Sequence, residues 1–380
     1  MKFQCDSQSL QKSVSIVEKA VSPRSPMQVM ENIFFELKDG RLTLRGNDME
    51  IGIQNSIPVT SFEGDGRVLI KAKTISSIVS KLGGNQIDVT VDAGNKFIIK
   101  AEQVDFDILG TPSDEYPVFP AIESGNRLTL TVQELRTLIR YTIFAVSFDE
   151  TKQFLNGVLI KNEGSNLVFV STDGYRLSIR KHPLATPVSD FSVIVPFKAL
   201  NELNKILGSE SADTEVSINI SPNQVAFSMG DFKLVTRIIQ GQFPDYNQVI
   251  PKESVNRFTI SRRAFVDASD RSSIIASSSN NVVRYQFTDS LLNITANAPK
   301  MGEFKENIPL DRQAGTGTLK VAFNVRLLLD AIKNLEADDV VFSINNELSP
   351  CVIRPVNDEW YTYIIMPIRT SDFSEEEGAA

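Results

Sequence analysis

Three short stretches recur along this chain at a constant interval. The middle one runs Leu167-Val168-Phe169-Val170-Ser171-Thr172-Asp173-Gly174-Tyr175-Arg176-Leu177-Ser178-Ile179-Arg180. It reads as strand, turn, strand, because residues alternate in β-rich runs and Asp-Gly supplies a reversal between them. Its upstream relative is Arg41-Leu42-Thr43-Leu44-Arg45-Gly46-Asn47-Asp48-Met49-Glu50-Ile51-Gly52-Ile53, and its downstream relative is Leu291-Leu292-Asn293-Ile294-Thr295-Ala296-Asn297-Ala298-Pro299. Aligning Asn47-Asp48, Thr172-Asp173 and Asn297-Ala298 gives a spacing of about 125 residues. A period of that length divides the 380 residues into three copies of one structural unit.

Each third carries the same order of signals. A strand leads into an amphipathic helix, marked by Leu10, Val14, Val17 and Val21 in the first third and by Leu135, Leu138, Ile139 and Ile143 in the second. Thr131 with Glu134 three residues on is a capping box for the second of these. Phe265, Ala268 and Ile275 after Ser261 form a weaker version in the last third. A second helix follows in each, over 73–82, 197–207 and 324–335, with Gly83-Gly84 and Gly208 as stops. Alternating runs close each third at 86–92 and 97–108, at 215–220 and 224–239, and at 339–344 and 351–368. The pattern predicts an α+β chain of six half-units, each one helix and a set of antiparallel strands. Proline and turn residues place the boundaries, giving units at 1–122, 127–250 and 254–369 and an acidic tail at 370–380 expected to be disordered.

Composition narrows the function. No apolar run approaches the ~20 residues of a membrane span, and the start lacks the apolar segment of a secretory signal. Two cysteines, Cys5 and Cys351, suit a reducing cytoplasm better than a disulfide scaffold. One histidine, His182, precedes Pro183 in an expected loop and belongs to no nucleophile motif. The same scarcity rules out a structural zinc site, and no glycine-rich phosphate loop is present. Neither a catalytic centre nor a cofactor nor a metal is expected.

Charge distribution says more than its total. The chain has a formal charge of −8, yet the six helical windows 6–24, 71–82, 131–147, 195–207, 261–277 and 321–335 hold 15 basic and 7 acidic residues. Exposed helix faces favour lysine and arginine in any protein. If instead the six helices share one surface, they make a positive lining on a negative body, suited to sequence-blind contact with a polyanion.

The order Phe154-Leu155-Asn156-Gly157-Val158, Thr172-Asp173-Gly174-Tyr175-Arg176-Leu177, Gly241-Gln242-Phe243-Pro244-Asp245-Tyr246, Phe323-Asn324-Val325 and Ile365-Met366-Pro367-Ile368-Arg369 resembles the bacterial DNA polymerase III β subunits, the sliding clamps. The resemblance covers the chain from Met1 to Arg369. It implies three tandem clamp domains, each two helices on antiparallel sheets, forming half of a closed head-to-tail homodimeric ring. Such a ring encircles duplex DNA without reading sequence, tethers the replicative polymerase, and works in the bacterial cytoplasm, at the nucleoid during replication. The resemblance further implies a cleft for short peptides of the polymerase catalytic subunit, clamp loader and repair proteins.

The positions matching that cleft are Leu155, Thr172, Gly174, Tyr175, Arg176, Leu177, Pro244, Val249, Asn324, Leu348, Pro350, Ile364, Ile365, Met366, Pro367, Ile368 and Arg369. Leu177, Val249, Ile365 and Met366 would form its apolar floor, and Arg176 and Arg369 would hold peptide carbonyls or a terminal carboxylate. The residues alone, without the resemblance, favour reading 364–368 as an ordinary buried last strand. DNA-facing positions by the same matching are Arg24, Lys152, Lys12, Arg136 and Lys198. The dimer seam would set the edge strand around Phe106 and Ile108 against Ile274 and Ile275. Tyr175 replaces the family's common histidine and Gln248 a frequent arginine, so the cleft should be less basic than usual. The tail places Asp372-Phe373 beside the cleft, either to compete with peptides or to remain solvated. The alternative function is a monomeric repeat scaffold that binds proteins and never encloses DNA.

Overall fold

A computed structural model describes residues 1–83, 86–120, 122 and 125–370. The acidic tail beyond Thr370 and Gly84 therefore lie outside the described residues. Within them the chain forms two compact units, one of Met1–Leu135 with Lys198–Ile238 and one of Arg136–Phe197 with the residues from Ile239 onward.

Six α-helices appear where the apolar periodicity places them: α1 Ser7–Val17, α2 Ala72–Val79, α3 Val132–Arg140, α4 Phe197–Leu207, α5 Arg262–Ala276 and α6 Val325–Ile332. Side-chain caps start four of them, at α1, α3, α5 and α6. Asp6 caps α1 by accepting from the Ser9 amide at 2.7 Å. Thr131 and Glu134 form the reciprocal box at α3, at 3.2 and 2.8 Å, and Asn324 caps α6. These caps satisfy amides that the first turn leaves unpaired. Short 3-10 turns, Glu18–Ala20 and Ile143–Ala145, continue α1 and α3 for part of the windows expected to be helical.

The first unit holds two antiparallel sheets. Five strands run in the order Ser61–Glu63, Lys2–Asp6, Gln86–Val91, Lys96–Ala101 and Val104–Leu109. Eight run in the order Asn126–Thr131, Glu215–Ile220, Gln224–Met229, Phe232–Arg237, Ile51–Pro58, Arg41–Asn47, Asn32–Lys38 and Gly66–Lys71. The seam of this sheet joins the central third to the first, with Thr236 opposite Ile51 and Lys233 opposite Gln54.

The second unit repeats the plan. Nine strands run Ser192–Pro196, Gly157–Glu163, Asn166–Thr172, Arg176–Pro183, Tyr361–Ile365, Cys351–Pro355, Asp339–Ile344, Asn256–Ser261 and Asp311–Ala314. Here the seam joins the central third to the last, with Arg176 opposite Ile365 and Arg180 opposite Tyr361. A four-stranded sheet runs Gly302–Pro309, Leu291–Ala298, Val282–Phe287 and Leu319–Asn324. Under α5 and α6 lies an aromatic core in which Phe265 stacks on Tyr285 at 5.6 Å and meets Phe342 at 4.9 Å.

Three alternating runs read as single segments prove to be hairpins. Residues 97–108 fold back at Glu102, whose φ is +50°, and 224–239 at Gly230, whose φ is +54°. Residues 351–368 contain Cys351–Pro355 and Tyr361–Ile365, and the chain leaves the sheet at Met366. His182 lies in the strand Arg176–Pro183 opposite Leu167, not in a loop. Both cysteines are buried free thiols, and burial pushes Cys5 up to about 12. Among the described residues no helix is long and apolar enough to cross a membrane.

Candidate functional site

The central hairpin reverses through Asp173-Gly174-Tyr175, and its polar side chains shape the turn. Oδ1 of Asp173 accepts from the amides of Tyr175 and Arg176 at 2.9 and 3.0 Å. Oγ1 of Thr172 accepts from the Gly174 amide and donates to the Arg176 carbonyl. Gly174 has a φ of +92° with open space around its missing Cβ, so glycine is needed for the backbone conformation and not for room. This turn leaves Tyr175 70% exposed, its ring standing at a rim.

Beside the turn lies a cavity of about 220 Å³ lined by Leu155, Thr172, Gly174, Tyr175, Arg176, Leu177, Pro244, Asp245, Tyr246, Val249, Ile364 and Met366. Its walls come from three elements of the second unit. The hairpin is the first, tied to the last strand's exit by the Met366 amide donating to the Tyr175 carbonyl at 2.9 Å. The second is the 3-10 turn Tyr246–Val249, which Asp245 caps by accepting from Asn247 and from the Gln248 side chain. Those donors hold the Asp245 carboxyl below its ordinary range. Leu155, closing another 3-10 turn, is the third.

The floor is part of a buried apolar cluster that includes Val170, Leu177, Tyr246 and Ile364. Tyr246 donates its phenol hydrogen to Oε1 of Glu163 at 2.9 Å, and burial pushes that phenol up to about 12. Glu163 also receives Lys161 at 2.7 Å and Lys181 at 3.0 Å. Burial would raise this carboxyl, but hydrogen bonds from Lys161, Lys181 and Tyr246 outweigh it and hold it at about 2.

The site is thus an apolar slot whose polar groups are engaged within its own walls, a form suited to holding the apolar groups of a ligand. Among the described residues no cluster of three His, Cys, Asp or Glu could hold a metal.

Ten of the seventeen positions expected in the cleft line this cavity. Ile365 does not: strand alternation turns it into the core under α5 and α6, away from Ile364. Asn324 caps α6, and its side chain accepts from Arg326. Leu348 is exposed and Pro350 half-buried in the loop before Cys351–Pro355. Pro367 and Ile368 are half-buried, with the Ile368 amide on the Ala322 carbonyl, and Arg369 is exposed. Arg176 lines the cavity, yet its guanidinium is committed inward, to Asp173 at 3.0 Å, Asp330 at 2.8 Å and the Phe144 carbonyl at 2.6 Å. It braces the wall instead of reaching for a ligand's carbonyls. Asp245 and Tyr246 were not among the expected cleft residues, although the motif Gln242-Phe243-Pro244-Asp245-Tyr246 carries them.

The equivalent corner of the first repeat is smaller. Its cavity is about 130 Å³, between Asn47, Met49, Glu50, Gly52, the linker residues Pro117, Val118 and Pro120, and the strand end Val235–Arg237. The Phe119 ring fills the space that a side chain at position 52 would need: a Cβ there would lie 3.0 Å from it.

The expected DNA-facing cations are not alike. Arg24 and Lys152 are exposed. Lys12 pairs with Glu210 at 2.8 Å, and Lys198 pairs with Asp48. Arg136 is half-buried, and its Nε has no hydrogen-bond partner among the described residues. Phe106 and Ile108 are half-buried on the edge strand Val104–Leu109, Ile274 is 63% exposed, and Ile275 packs on the α5–α6 core.

Models of the DNA polymerase III beta subunit match most of the chain in three pieces: the N-terminal domain over residues 1–120, the central domain over 129–245 and the C-terminal domain over 247–369. The chain belongs to the DNA polymerase III beta subunit family. This is the family of sliding clamps, non-enzymatic processivity factors of DNA replication. The beta sliding clamp of Synechocystis sp. is 31% identical over 391 residues, covering 97% of this chain and 99% of that one. The crystal structure of the Bacillus subtilis DNA polymerase sliding clamp superposes with a TM-score of 0.92 at 32% identity, covering 97% of this chain and 99% of that one. The Pseudomonas aeruginosa sliding clamp bound to griselimycin is similar at 27% identity and a TM-score of 0.91, covering 97% and 100% of the two chains. The fold is that of this family: three tandem clamp domains of antiparallel sheets and helices.

Proposed function

We propose that two copies of this chain close head to tail into a ring that encircles duplex DNA and holds the replicative polymerase on it. The observation that carries this reading is a matter of strand edges. Ile51–Pro58, Arg176–Pro183 and Gly302–Pro309 are the corresponding strands of the three repeats. Val104–Leu109, Phe232–Arg237 and Tyr361–Ile365 are likewise corresponding strands. The first family pairs with the second twice within the chain, Ile51–Pro58 with Phe232–Arg237 and Arg176–Pro183 with Tyr361–Ile365. Gly302–Pro309 and Val104–Leu109 are the members left, each at the edge of its sheet. Joining them between copies would make a nine-stranded sheet from the five-stranded and four-stranded ones, alongside the existing sheets of eight and nine. It would also cover two open strand edges and bury Phe106, Ile108 and Ile274.

In that ring Arg24, Lys152, Lys12, Arg136 and Lys198 serve as weak phosphate contacts that permit sliding. The cleft at Tyr175 and Met366 takes short apolar peptides of the polymerase catalytic subunit, clamp loader and repair proteins, and it is where griselimycin would enter. Tethering raises the polymerase's effective concentration at its template. The three clamp domains are 1–122, 127–250 and 254–369, and the ring works in the cytoplasm, at the nucleoid during replication. Sedimentation equilibrium of the full chain is expected to give twice 42.2 kDa; a species of 42.2 kDa at every concentration would favour the monomeric scaffold.

A further inference from the structure

We infer that Glu163 is a positioning residue for the cleft: gripped by Lys161 and Lys181, its carboxylate holds the Tyr246 phenol and so sets the Tyr246–Val249 wall. The inference rests on reading this cavity as the peptide site, and it goes beyond that reading by assigning a role to three residues that do not line it.

The geometry is specific. Lys161 and Lys181 stand on either side of Val168, each paired with it across the sheet. Two like charges so placed on one face need a counter-charge, and Glu163, at the end of the Lys161 strand, accepts from both. Its Oε1 also takes the Tyr246 hydroxyl at 2.9 Å, while Nζ of Lys161 lies 4.8 Å from the centre of the Tyr246 ring. The ring is thus fixed at its tip by a charge-assisted hydrogen bond and on its face by a cation.

Tyr246 begins the 3-10 turn that ends at Val249, and both residues line the cavity. Asp245 fixes the start of that turn. With the phenol tied down as well, the turn has two anchors, and Tyr246 shares one buried cluster with Val168, Leu177 and Ile364. Cutting the phenol anchor leaves the ring free to turn into a slot of only about 220 Å³. The first repeat shows the contrast. There the linker ring is Phe119, which has no hydroxyl, Arg45 lies 6.0 Å from it and pairs with Glu36, and the cavity is about 130 Å³. A tethered hydroxyl accompanies the more open slot.

The test is a double-mutant cycle on the full chain with griselimycin as the titrated probe, read by calorimetry, with melting temperature recorded for each variant. Glu163→Ala and Tyr246→Phe are each expected to weaken binding about fivefold, the factor for an ordinary net hydrogen bond. The double variant should bind no more weakly than Glu163→Ala alone, because both changes cut the same link between Glu163 and Tyr246. Tyr246→Phe removes only the hydroxyl, so it decides the matter even if Glu163→Ala fails to fold. Wild-type affinity in Tyr246→Phe, or losses that multiply to about 25-fold in the double variant, would overturn the inference. Leu177→Ala separates this outcome from failure of the cleft reading. If Leu177→Ala weakens binding while Tyr246→Phe does not, only the positioning role is wrong. If Leu177→Ala also binds normally, the probe does not use this cavity and both readings fall.

Discussion

Replacing Ile274 with aspartate is expected to leave the chain monomeric while sparing its fold. Ile274 is 63% exposed on α5, whereas its neighbour Ile275 packs on the core, so the substitution removes little that the single chain uses. In the proposed ring the same side chain is covered by Phe106 and Ile108 of a second copy. Burying an unpartnered polar group in such an apolar contact costs about 3 kcal/mol, and an ionised carboxylate costs more. A head-to-tail pair has two seams, so the loss per ring is at least about 6 kcal/mol, or about ten-thousandfold in the dimer dissociation constant. Sedimentation equilibrium at micromolar concentration should then report a mass of 42.2 kDa with an unchanged circular dichroism spectrum. A variant that remains dimeric would place the seam elsewhere.

The second large effect is expected within one chain, at Arg176. Its guanidinium is 8% exposed and ties three elements together: the turn through Asp173, α6 through Asp330, and the 3-10 turn Ile143–Ala145 through the Phe144 carbonyl. It also lies 5.5 Å from the Phe144 ring. Arg176→Ala leaves Asp173 mostly enclosed without its cation, and breaking a buried pair by removing one partner costs about 3 kcal/mol. Lysine keeps the charge but cannot direct donors to three acceptors at once, so Arg176→Lys should recover only part of the loss. Urea unfolding followed by circular dichroism is expected to show the order wild type, lysine, alanine. Equal midpoints for wild type and alanine would mean that the bridge contributes no more than a solvated surface pair.

Much of this architecture is readable because its causes are local. The capping box at Thr131 and Glu134, the helix periodicities and the alternation within strands are each set by residues a few positions apart. The threefold repeat adds the next level, since corresponding hairpins imply corresponding pairings. The missed reversals show the limit. Glu102 turns the chain at a φ of +50° with neither glycine nor proline beside it, so no turn signal marks 97–108 as two strands.

The cleft was legible only through family resemblance, and for a physical reason. Its parts meet across 154 residues between Arg176 and Asp330 and across 83 between Glu163 and Tyr246. No local spacing encodes such contacts. The resemblance names positions but not orientations. It includes Ile365, which alternation turns into the core, and it gives Arg176 to the ligand although the structure gives it to Asp330. It omits Tyr246, whose burial and hydroxyl partner emerge only once the sheet places Lys161 and Lys181 on either side of Val168.

Enclosure of DNA is tested most directly by topology. The chain, assembled by the clamp-loader proteins of its own cell onto nicked circular duplex, is passed through a sizing column in high salt before and after one cut linearises the circle. A closed ring is expected to elute with the intact circle despite screening of its phosphate contacts and to be lost once an end is available. Equal release from circle and linear DNA would contradict enclosure.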